Sequence, residues 1–154
     1  MAVLKKGYKD INDTLRHIRL QVAEGLDYAD ENVPLFLNPH DLYIWLKSRT
    51  TYVDDPHNVE LLQSLPTLLE NNFHGIVGGG DCDCTTIAVL TCLQKQKFGH
   101  KCWIKLCGRN KSYPVHIYAG IDYKGQELAL DLTNRMAGIE RKYPLIQKIY
   151  FKPF

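Results

Sequence analysis

The chain changes its hydrophobic period near residue 99, from helical spacing before this point to alternation after it. Apolar residues recur at helical spacing over residues 11–22 and predict an amphipathic helix that ends near Gly25. Asn38 and Pro39 have the residue types of an N-cap and a first helical position. A second helix is therefore predicted through about Lys47.

Two further helices are predicted before the change of period. Asp55 and Pro56 repeat the cap and first-turn signals, and predict a short helix that Pro66 interrupts or ends. Residues 82–98 contain a nearly unbroken apolar run, which is typical of a helix that is buried on most of its sides. We expect this helix to lie at the centre of the fold.

The alternating segments predict a sheet. Residues 101–108, 114–121 and 126–133 each place apolar side chains on one face, and residues 145–154 are a candidate fourth strand. A run of helices followed by a run of strands is typical of the α+β class. The sequence therefore predicts N-terminal helices and a central buried helix packed on an antiparallel sheet.

Length and charge narrow the functional classes. The 154 residues fit a single domain (1–154), and the formal charge of +2 creates no strong field for binding nucleic acid. Neither a membrane span nor a secretory leader is visible, so we expect no membrane partner and a cytoplasmic location. The five cysteines form an odd set, which argues against a secreted disulfide framework.

Two polar residues, His116 and Asp131, interrupt the alternating strands on either side of the turn "DYKG". If all four turn residues form the loop, Ile121 pairs with Gln126, and the two polar side chains lie directly opposite each other on one face. Their Cβ atoms are then about 4.5–5.5 Å apart. If only the last two turn residues form the loop, the two side chains are diagonal neighbours on that same face. Either register predicts a contact between the imidazole and the carboxylate.

Cys82 stands at the start of the central helix, directly after the glycine-rich approach "GGGD". The helix dipole and unpaired backbone N–H groups favour a thiolate there, so we expect the pKa of Cys82 to be lowered. Its own backbone N–H can also donate to an oxyanion. Cys82, His116 and Asp131 together form a candidate nucleophilic triad.

Three neighbouring positions are candidates for contact with substrate. Gly80 lets a substrate backbone come close to the thiol. Asp81 caps the helix or binds substrate, and Trp103 lines the site or fills the core. A zinc site that draws on the cysteines and His116 is an alternative, but Cys-x-Cys with Cys-x4-Cys is not a usual zinc spacing. We therefore expect no metal and no cofactor.

The segment "GGGDCDCTTIAVLTCL", followed by "PVHIYAGI" and "LALDLT", resembles the transglutaminase-like superfamily of papain-like fold. The resemblance covers roughly residues 52–133 as a motif core and leaves residues 1–50 as an N-terminal helical extension. It implies that Cys82 is the nucleophile, His116 the base and Asp131 the orienting acid. The sequence departs from the family where Cys84 replaces an Asp and where "DLT" replaces Asp-Pro-Thr.

The stretch "TTYVDDPHNVELLQSLPTLLEN" resembles small phage and prophage members, which implies a virion or phage-protein partner and a location in the host cytoplasm or the virion. The implied activity is acyl transfer through a thioester to water or an amine. Nothing in the sequence selects an amine over water, so we expect a peptide or protein substrate and hydrolysis of a peptide or isopeptide bond. A non-catalytic phage or prophage protein that keeps the fold as a structural or binding module is the alternative.

Overall fold

The computed structural model describes residues 3–6, 11–55, 59–70, 76–99, 101–110 and 113–152. The helices precede the main sheet along the chain, as the hydrophobic pattern predicts. They are α1 (Ile11–Asn32), α2 (Pro39–Lys47), α3 (Leu65–Glu70) and α4 (Cys82–Lys95). Helix α2 begins as expected, because the Asn38 side chain accepts a hydrogen bond from the Asp41 N–H and Pro39 follows at the first helical position.

The last four strands along the chain form one antiparallel sheet. The shorter strands are β1 (Val3–Lys6), β2 (Thr51–Tyr52), β3 (Val59–Leu62) and β4 (Gly79–Gly80), and the sheet strands are β5 (Cys102–Asn110), β6 (Tyr113–Tyr123), β7 (Gln126–Ala129) and β8 (Leu145–Phe151). The sheet order is β7-β6-β5-β8, while β1 pairs with β3 and β2 pairs with β4. The α+β class is confirmed, and the candidate fourth strand is present as β8.

Helix α1 continues past Gly25, where the sequence predicts its end, and extends to Asn32. Gly25 lies where α1 packs closely against two other helices. A Cβ atom at this position would lie 3.0 Å from Thr91 Cγ2 and 3.3 Å from Leu65 Cβ. The prediction was wrong because this glycine allows a close helix approach and does not act as a C-terminal stop.

The segment after Asp55 also differs from the prediction. Residues 56–58 lie outside the described residues, so the helix start predicted at Pro56 is not described. Val59–Leu62 is a strand where a helix was predicted, because it pairs with β1. Pro66 lies in the first turn of α3, where the missing N–H removes no helical hydrogen bond, and therefore does not end a helix.

Helix α4 is the predicted central helix, and residues 84–93 are all buried. It packs against α1 and β6, and its apolar side chains join those of the other helices and the sheet in one core. It ends at Lys95 and not near Phe98, because the next residue, Gln96, turns away and its side-chain amide accepts from the Phe36 N–H. In the described residues, no helix combines the length and the apolar character needed to cross a membrane.

The sheet has a second face, opposite α4, which we call the outer face. Lys105 of β5 and His116 and Tyr118 of β6 lie on this face, because side chains alternate along each strand. The irregular segment 130–144 joins β7 to β8 and places Glu140 against the outer face, where it accepts from Lys105 Nζ at 3.0 Å and from the Tyr118 hydroxyl.

Candidate functional site

The β6–β7 hairpin turns through two residues, Lys124 and Gly125, because Tyr123 pairs with Gln126. Both turn residues have positive φ values, 52° and 77°. This is the backbone geometry that suits the twist of a two-residue hairpin. The preferred four-residue loop, with Ile121 opposite Gln126, is therefore wrong, and the alternative two-residue loop is correct.

His116 and Asp131 meet as diagonal neighbours beyond the paired part of this hairpin. The Oδ2 atom of Asp131 lies 2.6 Å from the Nε2 atom of His116. Both residues are buried, with 8% and 2% of their surface exposed. A short bond of this kind is charge-assisted, with the Nε2–H donating to the carboxylate. The predicted contact between the imidazole and the carboxylate is present.

Thr133 and Asn134 hold the Asp131 carboxylate in place. The backbone N–H and the hydroxyl of Thr133 donate to Oδ1 at 3.0 and 2.7 Å, and the Asn134 amide donates to Oδ2 at 3.3 Å. Burial by itself raises the pKa of Asp131, but the interactions with His116 and Thr133 outweigh burial and hold this pKa below its ordinary value. Asp131 is therefore ionised at neutral pH and selects the imidazole tautomer that carries its proton on Nε2.

Helix α4 reaches β6 along an edge that β7 leaves open. Just beyond β7, the Leu130 N–H still donates to the Ala119 carbonyl at 2.9 Å. Because backbone groups alternate in direction along a strand, the N–H and C=O of Ile117 point to the same side as those of Ala119. Helix α4 approaches both of these groups: the Thr86 hydroxyl donates to the Ile117 carbonyl at 3.4 Å, and the Ile117 N–H lies near the Cys82 thiol, where it works to lower the pKa of that thiol.

Cys82 is the first residue of α4, and its sulfur lies beside the peptide unit that follows His116. The residue is partly exposed. Packing around its sulfur nevertheless raises the pKa of the thiol well above its ordinary value, and the charges of Asp83 and Asp81 raise it further. The expected lowering of this pKa is therefore wrong, because desolvation and nearby carboxylates outweigh the helix N-terminus. Between these two described side chains, Cys82 and His116, the structure has no hydrogen bond.

Asp81 is the N-cap of α4 and also the partner of a second carboxyl group. Its Oδ1 atom accepts from the N–H groups of Asp83 and Cys84 at 3.1 and 3.4 Å. Its side chain also forms a hydrogen bond with Asp55, which itself accepts from the Leu61 N–H at 2.7 Å. Burial and the Asp55 carboxylate raise the pKa of Asp81 to about 8, so the pair shares a proton at neutral pH. Of the two roles that the sequence allows for Asp81, capping is the one that the structure shows.

Gly80 and Trp103, the other predicted substrate contacts, have packing roles. A Cβ atom at Gly80 would lie 2.6 Å from Cys84 Cβ, so the glycine lets β4 lie directly against the first turn of α4. Trp103 is fully buried on the outer face, where its Nε1–H donates to Asp122 at 3.1 Å and Lys105 Nζ lies 4.7 Å from its ring. A fully buried ring has no surface to offer a substrate, which corrects the interpretation that Trp103 lines the site.

All five cysteines are free thiols, and Cys82 is the one that keeps exposed surface. Cys84 has a packing role: its thiol donates to the Leu61 carbonyl at 3.1 Å and accepts from the Gln63 amide at 3.5 Å. In the part of the chain that the structure describes, no group of three or more His, Cys, Asp or Glu side chains is placed to hold a metal ion.

Several residues that support or flank the site were not predicted from the sequence. Tyr43 of α2 donates its hydroxyl to the Asp131 carbonyl at 3.2 Å, a contact between distant parts of the chain that no local pattern indicates. Tyr52 of β2, which is 53% exposed, pairs with Gly80 and flanks the strand that leads to the thiol. Thr133 did have a signal, because a hydroxyl two residues after an aspartate is a common local partner of its carboxylate.

Comparisons of the chain with protein-family models, with curated proteins and with solved structures gave no match. The site is therefore interpreted from its own geometry. Its main features are a buried hydrogen bond between an imidazole and a carboxylate, a free thiol at the start of a buried helix, and a backbone contact that places the thiol next to the imidazole-bearing strand.

Proposed function

We propose that the chain is a cysteine-dependent acyl-transfer enzyme, in which Cys82 is the nucleophile, His116 the general base and Asp131 the orienting carboxylate. The observation that carries this proposal is the 2.6 Å hydrogen bond between His116 Nε2 and Asp131 Oδ2, together with the position of the partly exposed Cys82 thiol near the backbone of Ile117, the residue that follows His116. An imidazole held by a buried carboxylate is suited to accept a proton from a neighbouring thiol.

The proposed chemistry follows from the tautomer that Asp131 selects. Because Nε2–H donates to the carboxylate, Nδ1 of the neutral His116 carries the lone pair that can accept the thiol proton. As the Cys82 sulfur attacks the carbonyl carbon of an amide, its proton passes to Nδ1 and the carbonyl oxygen becomes an oxyanion. The imidazolium then gives the proton to the leaving amine, and water hydrolyses the thioester that remains. The raised pKa of Cys82 favours proton transfer during the attack over a thiolate formed beforehand.

The substrate class in this proposal is a peptide or protein that is cleaved at a peptide or isopeptide bond. The resemblance of residues 52–133 to the transglutaminase-like superfamily supports the same three roles and a papain-like arrangement of helix and sheet. A phage or prophage origin, with a virion or phage-protein partner, belongs to the same resemblance. We prefer hydrolysis to crosslinking because the sequence offers no signal for selecting an amine over water.

A non-catalytic structural or binding module is the second candidate, and one observation favours it. Packing and nearby carboxylates raise the pKa of the Cys82 thiol, and no hydrogen bond joins this thiol to His116. A thiol in this environment is a poor nucleophile unless the imidazole takes its proton. The two candidates therefore differ in whether His116 controls the reactivity of Cys82.

The test is a pH series of alkylation by iodoacetamide on wild type and His116→Ala, with each modified cysteine identified by mass spectrometry. For the enzyme, we expect Cys82 to react faster than the buried Cys92 and Cys102. We also expect a reactive limb in wild type at a pH below the ordinary thiol pKa, which His116→Ala lacks, because the imidazole accepts the thiol proton during the attack. Asp131→Asn should fold and weaken the same limb, since it disturbs the tautomer without removing the side-chain volume.

Coincident pH profiles for wild type and His116→Ala would overturn the enzyme and support the module. Cys82→Ser is the control variant, because it removes the proposed nucleophile and keeps the four other thiols. Loss of the reactive limb in Cys82→Ser confirms that the signal comes from this residue.

A further inference from the structure

The imidazole of His116 is in contact with an aromatic ring that the proposed chemistry does not use. Tyr118 lies two residues further along β6, and its side chain is on the same face. The two ring centroids are 5.6 Å apart and the ring planes differ by 23°, which is a stacked arrangement. The plane of the imidazole is therefore set by Tyr118 as well as by the hydrogen bond to Asp131.

Tyr118 is itself held by charged groups on the outer face. Its hydroxyl donates to Glu140 Oε2, which also accepts from Lys105 Nζ at 3.0 Å. Trp103 packs edge-on against the Tyr118 ring, with centroids 6.1 Å apart. Burial and the Glu140 carboxylate raise the pKa of Tyr118 far above its ordinary value, so the hydroxyl keeps its proton and donates at all pH values near neutral.

The segment that carries Glu140 also carries the groups that hold Asp131. Thr133 and Asn134 bind the Asp131 carboxylate, and Glu140 follows a few residues later. The segment is closed by its own hydrogen bonds, since the Arg141 guanidinium donates to the Thr133 hydroxyl at 3.0 Å and the Asn134 amide donates to the Ile139 carbonyl at 2.7 Å. One stretch of chain therefore supports both the carboxylate and the ring against which the imidazole stacks.

We propose that Tyr118 is a positioning residue for His116, and that Glu140 acts through Tyr118 by fixing the tyrosine ring against the imidazole. The catalytic part of this inference rests on the proposed function; the positioning itself does not. An electron-rich ring stacked on an imidazole favours its protonated form, as in other cation–π contacts. The acyl-transfer cycle passes through this imidazolium, so the stacking stabilises the state formed when the thiol proton is transferred.

The test compares four variants by their His116-dependent rate of Cys82 alkylation. Tyr118→Leu removes the ring, and we expect a fall of about three- to tenfold, the size that one aromatic contact supports. Tyr118→Phe keeps the ring but loses the hydrogen bond to Glu140, so it should give a smaller fall that Glu140→Ala reproduces. Glu127→Ala is the matched control. Glu127 is also a carboxylate partner of Lys105, at 2.9 Å, and its other ion pair is with Lys148. Glu127→Ala should leave the rate unchanged.

A second readout does not depend on catalysis. Nitrogen-15 NMR spectra of labelled histidine report which imidazole nitrogen carries the proton, and His116→Ala assigns the signals of this residue. We expect Tyr118→Leu to release the plane of the imidazole and so weaken its hydrogen bond to Asp131, which lets part of the His116 population adopt the other tautomer, while Glu127→Ala keeps the wild-type spectrum. Asp131→Asn is the reference for a disturbed tautomer.

The outcomes separate the two proposals. A wild-type imidazole spectrum in Tyr118→Leu, Tyr118→Phe and Glu140→Ala would overturn the positioning role, whatever the alkylation rates. Equal effects of Glu140→Ala and Glu127→Ala would also overturn it, because they would indicate a general loss of ion pairing. If Tyr118→Leu fails to fold, Tyr118→Phe and Glu140→Ala decide the question. Failure of wild-type Cys82 to show any dependence on His116 would instead remove the proposed enzyme and leave the spectra to decide the positioning.

Discussion

Asp81 is a residue that both stabilises and destabilises the fold. As the N-cap it accepts from two backbone N–H groups of α4, a contribution of about 1 kcal/mol in other helices. It also forms a hydrogen bond with Asp55, which requires one of the two carboxyl groups to keep a proton. Burial and the Asp55 charge raise the pKa of Asp81 from 3.8 to about 8. The folded protein therefore keeps a proton that the unfolded chain releases near pH 4.

We expect the free energy of unfolding of the wild type to fall as the pH rises from about 4 to about 8, because folding raises the pKa of Asp81 over this range. The free energy of unfolding of Asp81→Asn should fall less over the same range. A carboxyl group whose pKa is raised by folding contributes fully below its unfolded pKa, and this contribution is lost as the pH rises through the folded pKa. Asparagine can still cap the helix, but it has no carboxyl proton to lose. Asp81 is partly exposed, so solvent weakens the effect. Near pH 8 we expect the free energy of unfolding of Asp81→Asn to have gained on the order of 1–2 kcal/mol relative to that of the wild type.

Urea unfolding at a series of pH values measures this effect. Asp55→Asn should flatten the pH dependence in the same way, because it removes the other member of the pair. Asp83→Asn is the control, since Asp83 gives its backbone N–H to the cap and its carboxyl group is not the partner of Asp81. A pH dependence in Asp81→Asn that equals that of the wild type would contradict the shared proton.

At the scale of an element, the two-residue turn of the β6–β7 hairpin places Asp131 beside His116. A change of register by one residue would turn the β7 side chains to the opposite face. Gly125 has a φ of 77°, a value that residues with a Cβ atom rarely adopt. The positive φ that Gly125 permits therefore helps to form the turn that places Asp131 beside His116.

We expect Gly125→Ala to lower the free energy of unfolding by about 1 kcal/mol, because alanine is strained at positive φ. The same variant should slow the His116-dependent alkylation of Cys82, since the hairpin that brings Asp131 to the imidazole becomes less well defined. Denaturant unfolding and the iodoacetamide rate measure the two effects.

Gly99→Ala is the matched control for this prediction. Gly99 has a φ of 72°, and a Cβ atom at either glycine would have nothing within 4 Å. The two variants should therefore lose similar stability, but Gly99 lies before β5 and should leave the alkylation rate unchanged. Equal slowing in both variants would mean that the effect comes from lost stability and not from the hairpin.

At the scale of the whole molecule, the helices and the sheet share one apolar core, with α4 at its centre. Leu90 of α4 is fully buried in this core. We expect Leu90→Ala to lower the free energy of unfolding by about 2–5 kcal/mol, through lost apolar contact and the cavity left behind. Because the core is shared, circular dichroism of the helices and fluorescence of the buried Trp103, measured in a Trp45→Phe background, should report the same shifted transition.

Leu37→Ala is the control for this truncation, since Leu37 is 93% exposed and its replacement removes almost no buried surface. We expect it to leave the unfolding transition unchanged. Two separate transitions in Leu90→Ala, one for each probe, would show that the helices and the sheet unfold independently.

Predictions from the sequence succeeded where neighbouring residues decide the structure. The start of α2 follows from Asn38 and Pro39, and the alternation after residue 99 predicted the sheet strands. Predictions failed where contacts between distant segments decide the structure. Gly25 looks like a helix stop but allows a close helix approach, and Val59–Leu62 carries helix signals but pairs with β1. Local preference is weaker than burial and backbone pairing at such positions.

The sequence by itself determined the α+β class, the start of the central helix at Cys82, and the placement of His116 and Asp131 on one face. Capping and side-chain alternation are properties of adjacent residues, so they can be read along the chain. The tertiary structure alone decided the burial of the His116–Asp131 pair, the raised pKa of Cys82 and the complete burial of Trp103. These properties depend on how far packing removes each group from water and on which distant charges come near it, and neither is encoded in the local pattern.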